Sequence, residues 1–435
     1  MGRGKHEEVR APRTSKDKIS KVKGRHRKMK ITLVALGLIL ALIVGLIFFY
    51  VYGKLGKINR DHVDKKELSC VDVDGYVNIL LLGVDARDMK DYKGCRTDCI
   101  IIASIKEDTG EVYLTSIYRD TFLKMGKKDQ YDKITHAFAF GGAKLSVKSI
   151  NQALDLNIDQ YMVFNWKAVA DSIDKLGGID VNIEDYEIDE LNSCTKETAT
   201  VTGKKYRPVY NPGKHRLNGA MSVGYGRMRN GVGDDFKRTD RMRLVVKKML
   251  SKMKKAKFSK INDLIDIVLP QIRTNMSNSD ILALASRINK YKIVGSSGFP
   301  YKVSGAMING MSCVIADDLE NDVKKLHKKV FKRKDYIPTD RCRRICKQIE
   351  YQVGGNTTGE INVDKILENP AEHQQPIEET QGNTDWQTQT PPNTQQQGEN
   401  PTQGNDPGGT PPGGGSGPGE TTPGTGTNPP NQANP

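Results

Sequence analysis

The first strong pattern along the chain is an apolar run near the N-terminus. Residues 31–53 contain no charged residue, and at about 1.5 Å per residue a helix of that length spans a hydrocarbon core of roughly 30 Å. The run is longer than the apolar part of a cleaved secretion signal and ends in aromatic residues, so we expect a retained transmembrane anchor. Basic residues predominate before it, which predicts a single-pass cell-membrane protein with a cytoplasmic N-terminus and an extracellular main part.

Strand and helix patterns alternate after this run. The apolar stretch 76–83 predicts a strand buried on both faces, and stretches 99–105 and 111–117 predict a hairpin because turn residues join them. A further strand is predicted over 179–183. Helical periodicity predicts helices over 145–154, 166–176, 236–257, 261–273 and 279–290. This alternation indicates an α/β or α+β class.

Composition divides the chain into further segments. From residue 351 it is rich in Pro, Gly, Gln, Thr and Asn and poor in apolar residues, which predicts a disordered tail. The expected organisation is a basic cytoplasmic arm (1–30), a transmembrane helix (31–53), a charged stalk (54–75), a main extracellular domain (76–333), a short cysteine-containing extension (334–350) and the tail (351–435).

Charge and cysteine usage narrow the choice of partners. The net charge is +15, and the arm alone contributes 12 − 3 = +9, so nucleic acid is not an expected partner. The seven cysteines lie after the apolar run, and their odd number leaves at least one unpaired. The pair at 342 and 346 has no histidine at ligand spacing, which argues against a zinc site.

Arginine and aspartate residues mark the ends of the predicted strands. They form three pairs, which are Asp85 with Arg87, Arg96 with Asp98, and Arg119 with Asp120. The carboxyl ends of sheet strands are where α/β proteins place ligands. Each pair alone is equally compatible with a surface ion pair.

A second group of arginines favours an anion site more strongly. Arg227 and Arg229 are two residues apart, so an extended backbone would project both to one face. Arg238 and Arg241 share a side of the following predicted helix. A solvated basic face is the alternative, but guanidinium donors beside a helix start favour phosphate oxygens.

Together these motifs resemble the LytR-CpsA-Psr family of bacterial cell-envelope glycopolymer transferases. The resemblance covers about residues 75–332, and an anchor before that region is usual in the family. It implies a central mixed β-sheet flanked by helices. The matching segments are Asn78–Asp85, Arg96–Asp98, Ser116–Thr121, Lys133–Ala137 with Gly141 and Gly142, Gly177–Val181, Arg227–Arg229 and Asp235–Arg241.

The resemblance also implies a reaction and its residues. The chain would transfer a secondary wall polymer, such as teichoic acid or capsule, from a polyprenyl-pyrophosphate carrier to peptidoglycan in a bacterium, with a Gram-positive cell wall as the expected setting. Polyprenyl phosphate would be released and Mg²⁺ would assist. By resemblance, Mg²⁺ is held by Asp85 and Asp98, and the pyrophosphate is bound by Arg96, Arg119, Arg227, Arg229 and Arg238. The catalytic site is completed by Asp235 and Arg241. The substrate is also contacted by Arg87, Asp120, Lys133 and His136.

The chain departs from the family pattern at a few positions. Tyr118 stands where the family usually has proline, Lys237 stands where glycine is common, and Cys95 and Cys99 flank the Arg96–Asp98 motif. These differences bear on loop geometry more than on the charged residues.

Two alternative functions stay open. One is a polyprenyl-pyrophosphate phosphatase, with water as acceptor. The other is a non-enzymatic scaffold or regulator that binds the lipid pyrophosphate.

Overall fold

The computed structural model describes residues 42, 49–86, 92, 94–126, 129–229 and 234–368. The described residues therefore exclude the expected cytoplasmic arm, the apolar run 31–53 apart from residues 42 and 49–53, Arg87, and the tail after residue 368. In the part of the chain that is described, no helix has the length and apolar character needed to cross a membrane.

Strands and helices alternate through this part of the chain. The strands are β1 (Asn59–Arg60), β2 (Tyr76–Val84), β3 (Thr97–Lys106), β4 (Glu111–Ile117), β5 (Phe122–Lys124), β6 (Tyr131–Lys133), β7 (Gln160–Asn165), β8 (Ile179–Ile183), β9 (Gly213–Leu217), β10 (Ile272–Thr274), β11 (Lys292–Phe299), β12 (Val303–Ile308), β13 (Met311–Ala316) and β14 (Glu360–Ile361). The helices are α1 (Ile134–Leu154), α2 (Trp166–Leu176), α3 (Ile188–Thr202), α4 (Gly219–Arg227), α5 (Asp234–Lys254), α6 (Phe258–Val268), α7 (Asn278–Ser286), α8 (Leu319–Phe331), α9 (Asp340–Val353) and α10 (Val363–Glu368).

A seven-stranded mixed sheet forms the centre, in the order β1-β10-β7-β2-β3-β4-β11. Strands β2 and β7 are parallel, as are β4 and β11, whereas β3 runs antiparallel to both of its neighbours. The predicted mixed sheet and the β3–β4 hairpin are confirmed. Smaller sheets pair β5 with β6, β8 with β9, and β12 with β13 and β14.

Alternate residues of the central strands face two separate cores. Leu80, Leu82 and Ile102 pack with α1, α8 and α9 on one face. Ile79 and Ile101 pack with residues of α5 and α7 on the other. The period of two along each strand produces this division, and the near-continuous apolar runs in the sequence reflect burial on both faces.

Two helices differ from prediction for identifiable reasons. Helix α1 begins at Ile134, but Gly141 and Gly142 have non-helical backbone angles and kink it, so only its second half shows helical periodicity in the sequence. The predicted helix 261–273 ends at Val268, and the residues after it pair with β7 as β10. That pairing depends on a strand more than a hundred residues away, which local patterns do not reveal.

The folded part extends beyond the expected bounds of 76–333 in both directions. In the expected stalk, β1 joins the central sheet and Leu68 and Val73 are buried. In the expected extension, α9 buries Cys342 and Cys346 against α1. Residues 351–368, expected in the tail, complete α9 and form β14 and α10, because Val363 and Ile366 are buried. None of the seven cysteines forms a disulfide.

Candidate active site

The predicted charged residues gather at one edge of the central sheet. Strands β2, β4 and β7 end at this edge and β3 begins there, as the parallel and antiparallel pairings require. Asp85 follows β2, Asp98 lies at the start of β3, and Arg119 and Asp120 follow β4. The prediction that strand ends bring these residues to one edge is therefore consistent with the observed topology.

A β-bulge sets the direction of the Asp98 side chain. Gly83 pairs with Cys99 and Val84 pairs with Thr97, so Asp98 is an extra residue opposite the β2 strand. Such bulges re-aim side chains at sheet edges. A Cβ atom on Gly83 would lie 2.8 Å from the Cys99 Cβ, so glycine permits this close pairing. The re-aimed Asp98 carboxylate accepts a hydrogen bond from the Arg119 guanidinium.

Tyr118, which departs from the family pattern, stabilises the turn that carries Arg119. Its backbone N–H donates to the Phe299 carbonyl at 3.1 Å, a bond that proline could not form. Its ring packs edge-to-face on Phe236, with centroids 4.6 Å apart. A Cβ on Gly298 would lie 1.9 Å from the Tyr118 hydroxyl oxygen, so the tyrosine occupies space that the glycine leaves free.

Arg119, Asp120 and Lys133 form an ion-pair network. The Asp120 Oδ1 lies 3.5 Å from both Arg119 Nε and Lys133 Nζ. Burial by itself would raise the pKa of Asp120, but Arg119 and Lys133 outweigh burial and lower it. Burial likewise opposes the charge on Arg119, but Asp98 and Asp120 raise its pKa. Arg119 and Asp120 therefore each favour the ionised form of the other.

Helix α5 adds Asp235 and Arg238 to this network. Arg238 is 2% exposed, and its Nη2 lies 2.8 Å from Asp235 Oδ1. The two atoms are close but misaligned, so the Arg238 Nε and Nη2 donors have no hydrogen-bond partner among the described residues. Burial lowers the pKa of Arg238, although an arginine stays protonated at neutral pH. A buried cation with free donors is suited to an anionic ligand.

Arg229 lies at the rim of the same network. Its Nε is 3.9 Å from Asp235 Oδ1, and its side chain is about half exposed. The group then contains four cations, Arg119, Lys133, Arg229 and Arg238, against three carboxylates, Asp98, Asp120 and Asp235. This excess of positive charge favours a ligand with several anionic oxygens.

Arg227 differs from its prediction. Helix α4 continues through Arg227, so the extended backbone expected for Arg227 and Arg229 begins only at Met228. The guanidinium stacks on the ring of Trp166, 3.5 Å from its centroid, donates to Thr198 Oγ1 at 3.0 Å and pairs with Glu197 at 3.0 Å. Trp166 is a site residue that sequence reasoning missed. The sequence patterns predict no strand directly before Trp166, so they give no signal for it.

Arg241 also differs from its prediction, because its donors are occupied within the fold. Its guanidinium donates to Glu187 Oε1 at 3.1 and 2.9 Å and to the Met228 carbonyl at 3.3 Å. The side chains of Arg241 and Glu187 are both 6% exposed. Arg241 therefore holds the backbone that precedes Arg229 rather than sharing the free face of Arg238.

The expected metal ligands are two carboxylates on adjacent strands. Asp85 is exposed directly after β2, and Asp98 already accepts from Arg119. Among the described residues, no group of three or more His, Cys, Asp or Glu side chains has metal-binding geometry. Mg²⁺ accepts one or two carboxylates completed by phosphate oxygens and water, so this donor set fits the ion together with a phosphorylated substrate.

The remaining predicted residues have simpler surroundings. Arg96 is exposed just before β3, and Arg87 lies outside the described residues. His136 Nδ1 is 2.9 Å from Asp132 Oδ1, which favours a structural role for this histidine. Cys99 follows Asp98 on β3, and burial raises the pKa of its thiol to about 12, so the thiol is not ionised at neutral pH.

Comparisons with known proteins identify the family and the fold. The LytR_cpsA_psr family model matches residues 46–330. A protein of Bacillus licheniformis named polyisoprenyl-teichoic acid–peptidoglycan teichoic acid transferase TagU is 30% identical over 307 residues, covering 68% of this chain and 93% of its own. TagU of Bacillus subtilis is 28% identical over 314 residues, covering 68% and 94%. A solved structure from Enterococcus faecalis, described as a transcriptional regulator, shares the fold with a TM-score of 0.51 and 23% identity, covering 66% of this chain and 100% of its own.

Proposed function

The chain belongs to the LytR_cpsA_psr family, and from this premise we propose that it transfers a secondary wall glycopolymer from a polyprenyl-pyrophosphate carrier to peptidoglycan. Relatives named as teichoic acid transferases support a transferase role. Teichoic acid, capsule or a similar polymer is the proposed cargo, and polyprenyl phosphate is the proposed second product.

The observation that carries this proposal is the buried Arg238 with two free donors. It lies among Arg119, Lys133 and Arg229, at the edge of the sheet where α/β folds bind ligands. Phosphoryl transfer depends mainly on positioning and on neutralising charge at the phosphate oxygens. The two Arg238 donors that lack an aligned partner in the described part of the chain can supply both to a pyrophosphate.

The proposed reaction balances as a single substitution at phosphorus. A hydroxyl oxygen of peptidoglycan forms a bond to the phosphorus that carries the glycan. The bond from that phosphorus to the bridging oxygen breaks, and polyprenyl phosphate leaves with that oxygen. The hydroxyl proton passes to a base, for which we propose Asp235. Asp85 and Asp98 would hold Mg²⁺, which when bound neutralises charge on the pyrophosphate oxygens.

The proposed location is the outer face of a bacterial cell membrane, with residues 31–53 as the anchor. A lipid-linked donor is confined to the bilayer, so an anchored site meets it at a high effective concentration. The acceptor must then lie on the outer side, which favours peptidoglycan.

The test is product analysis with the full chain in proteoliposomes. Labelled polymer on a polyprenyl-pyrophosphate carrier is mixed with peptidoglycan and Mg²⁺, and label in the insoluble wall fraction is measured. We expect label in peptidoglycan with the wild type, and little with Arg238→Ala. Equal release of free polymer with and without peptidoglycan would indicate a phosphatase. Binding without turnover would indicate a scaffold or regulator.

A further inference from the structure

A second basic region lies away from the candidate active site. An open cavity of about 520 Å³ is lined by residues that include Lys204, Lys205, Arg207 and Arg216. It is also lined by Gly177, after the end of α2, and by Asn218, before the start of α4. The Trp166–Arg227 stack lies at the other ends of these two helices, roughly 13–17 Å away at 1.5 Å per residue. The cavity is therefore separate from the proposed pyrophosphate site.

Much of the positive charge around this cavity is not neutralised by the protein. Lys204 pairs with Asp171 and Asp174, each at 2.7 Å, and Arg216 pairs with Asp180 at 2.8 Å. Lys205 and Arg207 are exposed and form no ion pair in the described part of the chain. These two side chains are free to meet an external anion.

The positive surface continues onto the junction between α5 and α6. Arg216 has the largest effect in lowering the pKa of Asp180, and Lys252 and Lys214 lower it further, which places both lysines near the β8–β9 hairpin. Lys260 Nζ lies 4.0 Å from where a Cβ on Gly177 would be. We define the basic surface as Lys205, Arg207, Lys214, Arg216, Lys252, Lys255, Lys257 and Lys260.

Exposed aromatic side chains lie within the same surface. Tyr206 is 37% exposed and Tyr210 is 79% exposed, on the segment that joins α3 to β9. Tyrosine combined with lysine and arginine is the composition found where proteins meet lipid head groups. A solvated basic face by itself would not require exposed rings.

The apolar run leads into the described structure beside this surface. Residues 49–55 are helical, and this helix runs along α6. Tyr50 donates to Asn262 at 2.8 Å, whereas Lys57, further along the chain, lies 3.0 Å from Asp266. Tyr50, which comes before Lys57 in the chain, thus contacts an earlier turn of α6 than Lys57 does. The helix over residues 49–55 therefore enters from the N-terminal end of α6. Lys257 and Lys260 lie at that beginning.

We propose that the basic surface docks on the anionic head groups of the membrane that holds residues 31–53. This inference rests on the proposed function, because it requires the anchor. Anionic lipids attract lysine and arginine over about one Debye length, and the tyrosines would sit at head-group depth. Docking fixes the orientation of the catalytic edge relative to the bilayer.

Hydrogen exchange of the full chain in nanodiscs tests the proposal. Discs contain either phosphatidylcholine alone or a mixture with phosphatidylglycerol, and exchange is followed at the amides of residues 203–210. We expect slower exchange on the anionic discs and loss of this difference at high salt. Each basic residue contributes roughly a fivefold factor to docking. The variant Lys205→Glu, Arg207→Glu, Lys257→Glu should therefore weaken docking roughly a hundredfold or more.

A matched control changes the same charge elsewhere. Lys328→Glu, Lys334→Glu, Lys347→Glu alters exposed residues of α8, α9 and the segment between them, on the other face of the sheet. It should retain the lipid-dependent protection. Equal exchange on both lipids, or equal loss in the control, overturns the docking proposal. Protection by a soluble phosphate-rich glycan on neutral discs, with none from anionic lipid, also overturns it and assigns the surface to a polymer.

Alkaline carbonate extraction separates this inference from the function on which it rests. A chain that is extracted from membranes lacks the anchor, which overturns both the proposed location and the docking. A chain that resists extraction but shows no lipid-dependent protection overturns only the docking.

Discussion

Arg238 and Arg241 are one turn apart on α5, yet they belong to regions of opposite character. Both are buried, at 2% and 5% exposure. Arg238 faces the sheet edge, where two of its donors have no aligned partner among the described residues. Arg241 faces the core formed by α2, α3 and α4, where Glu187 and the Met228 carbonyl take up its donors. Burial alone therefore does not distinguish Arg238, the proposed ligand-binding arginine, from the structural Arg241; the two differ in whether their donors have aligned partners among the described residues.

The same contrast holds for the charges around each residue. Near Arg238, several cations surround fewer carboxylates, and burial lowers its pKa. Near Arg241, one cation meets one buried carboxylate. The first arrangement carries an excess of positive charge among the described residues, and the second is balanced within the protein. Mutations at the two positions should consequently affect different properties.

The largest expected effect is on stability, from Arg241→Ala. The change leaves the Glu187 carboxylate buried without its partner, which should lower the free energy of unfolding by about 3–5 kcal/mol. Chemical denaturation followed by circular dichroism measures this loss. The double variant Arg241→Met, Glu187→Leu removes both charges and should recover most of the stability. If the single variant lost less than about 1 kcal/mol, Glu187 would have to be solvated and the contrast with Arg238 would fail.

Arg238→Ala should affect activity instead. Removing a donor that stabilises developing charge typically lowers the rate about 10²–10³-fold, while unfolding should change little because Asp235, the ion-pair partner of Arg238, is 35% exposed and can be solvated by water. The measurement pairs the transfer rate with the denaturation midpoint. Arg238→Lys keeps the charge but loses the planar pair of donors, so it should recover only part of the rate. A variant that unfolds as readily as Arg241→Ala would place Arg238 in the structural class.

Sequence patterns predicted the scaffold of the site better than its contacts. Strands β4 and β8 and helix α2 have the predicted bounds, because local signals such as the Gly177–Gly178 stop set them. At the start of the helix predicted over 279–290, Ser277 caps α7 by accepting a hydrogen bond from the Asp280 amide at 3.1 Å. These features depend on residues within a few positions of each other.

The contacts that assign roles depend on distant residues. Glu187 is 54 positions before Arg241, and no local pattern links them. The bulge that turns Asp98 toward Arg119 depends on the register of β2 against β3, which the periodicity of either strand leaves open. Trp166 meets Arg227 only because α2 and α4 pack together. The sequence therefore pointed to these arginines but did not show which of them have donors without an aligned partner among the described residues.

Asp120 offers a test of the region around Arg238 through pH. Neighbouring cations hold the pKa of Asp120 below its value in the unfolded chain, which is about 3.9. Its contribution to folding stability is therefore present above about pH 3.9 and is lost as the pH falls through the lower pKa of the folded state. Asp120→Asn should cost about 1.5–3 kcal/mol at neutral pH and should flatten the loss of stability on acidification. Denaturation midpoints between pH 3 and 7 measure both. The same variant should bind inorganic pyrophosphate more tightly, since fewer carboxylates then oppose the cations; weaker binding would contradict an anion site.

The smallest expected effect tests whether Arg227 belongs with Arg238 or with Arg241. Trp166→Leu removes the ring under the guanidinium, and a cation–π contact contributes about 0.5–2 kcal/mol, which is roughly a 2- to 30-fold change in rate. Thr198 and Glu197 still hold Arg227 in this variant, so the loss should be partial. Trp166→Phe should recover part of it. If Arg227 acts in the transition state, kcat falls while KM changes little; if stability falls and kcat does not, Arg227 is a structural arginine like Arg241.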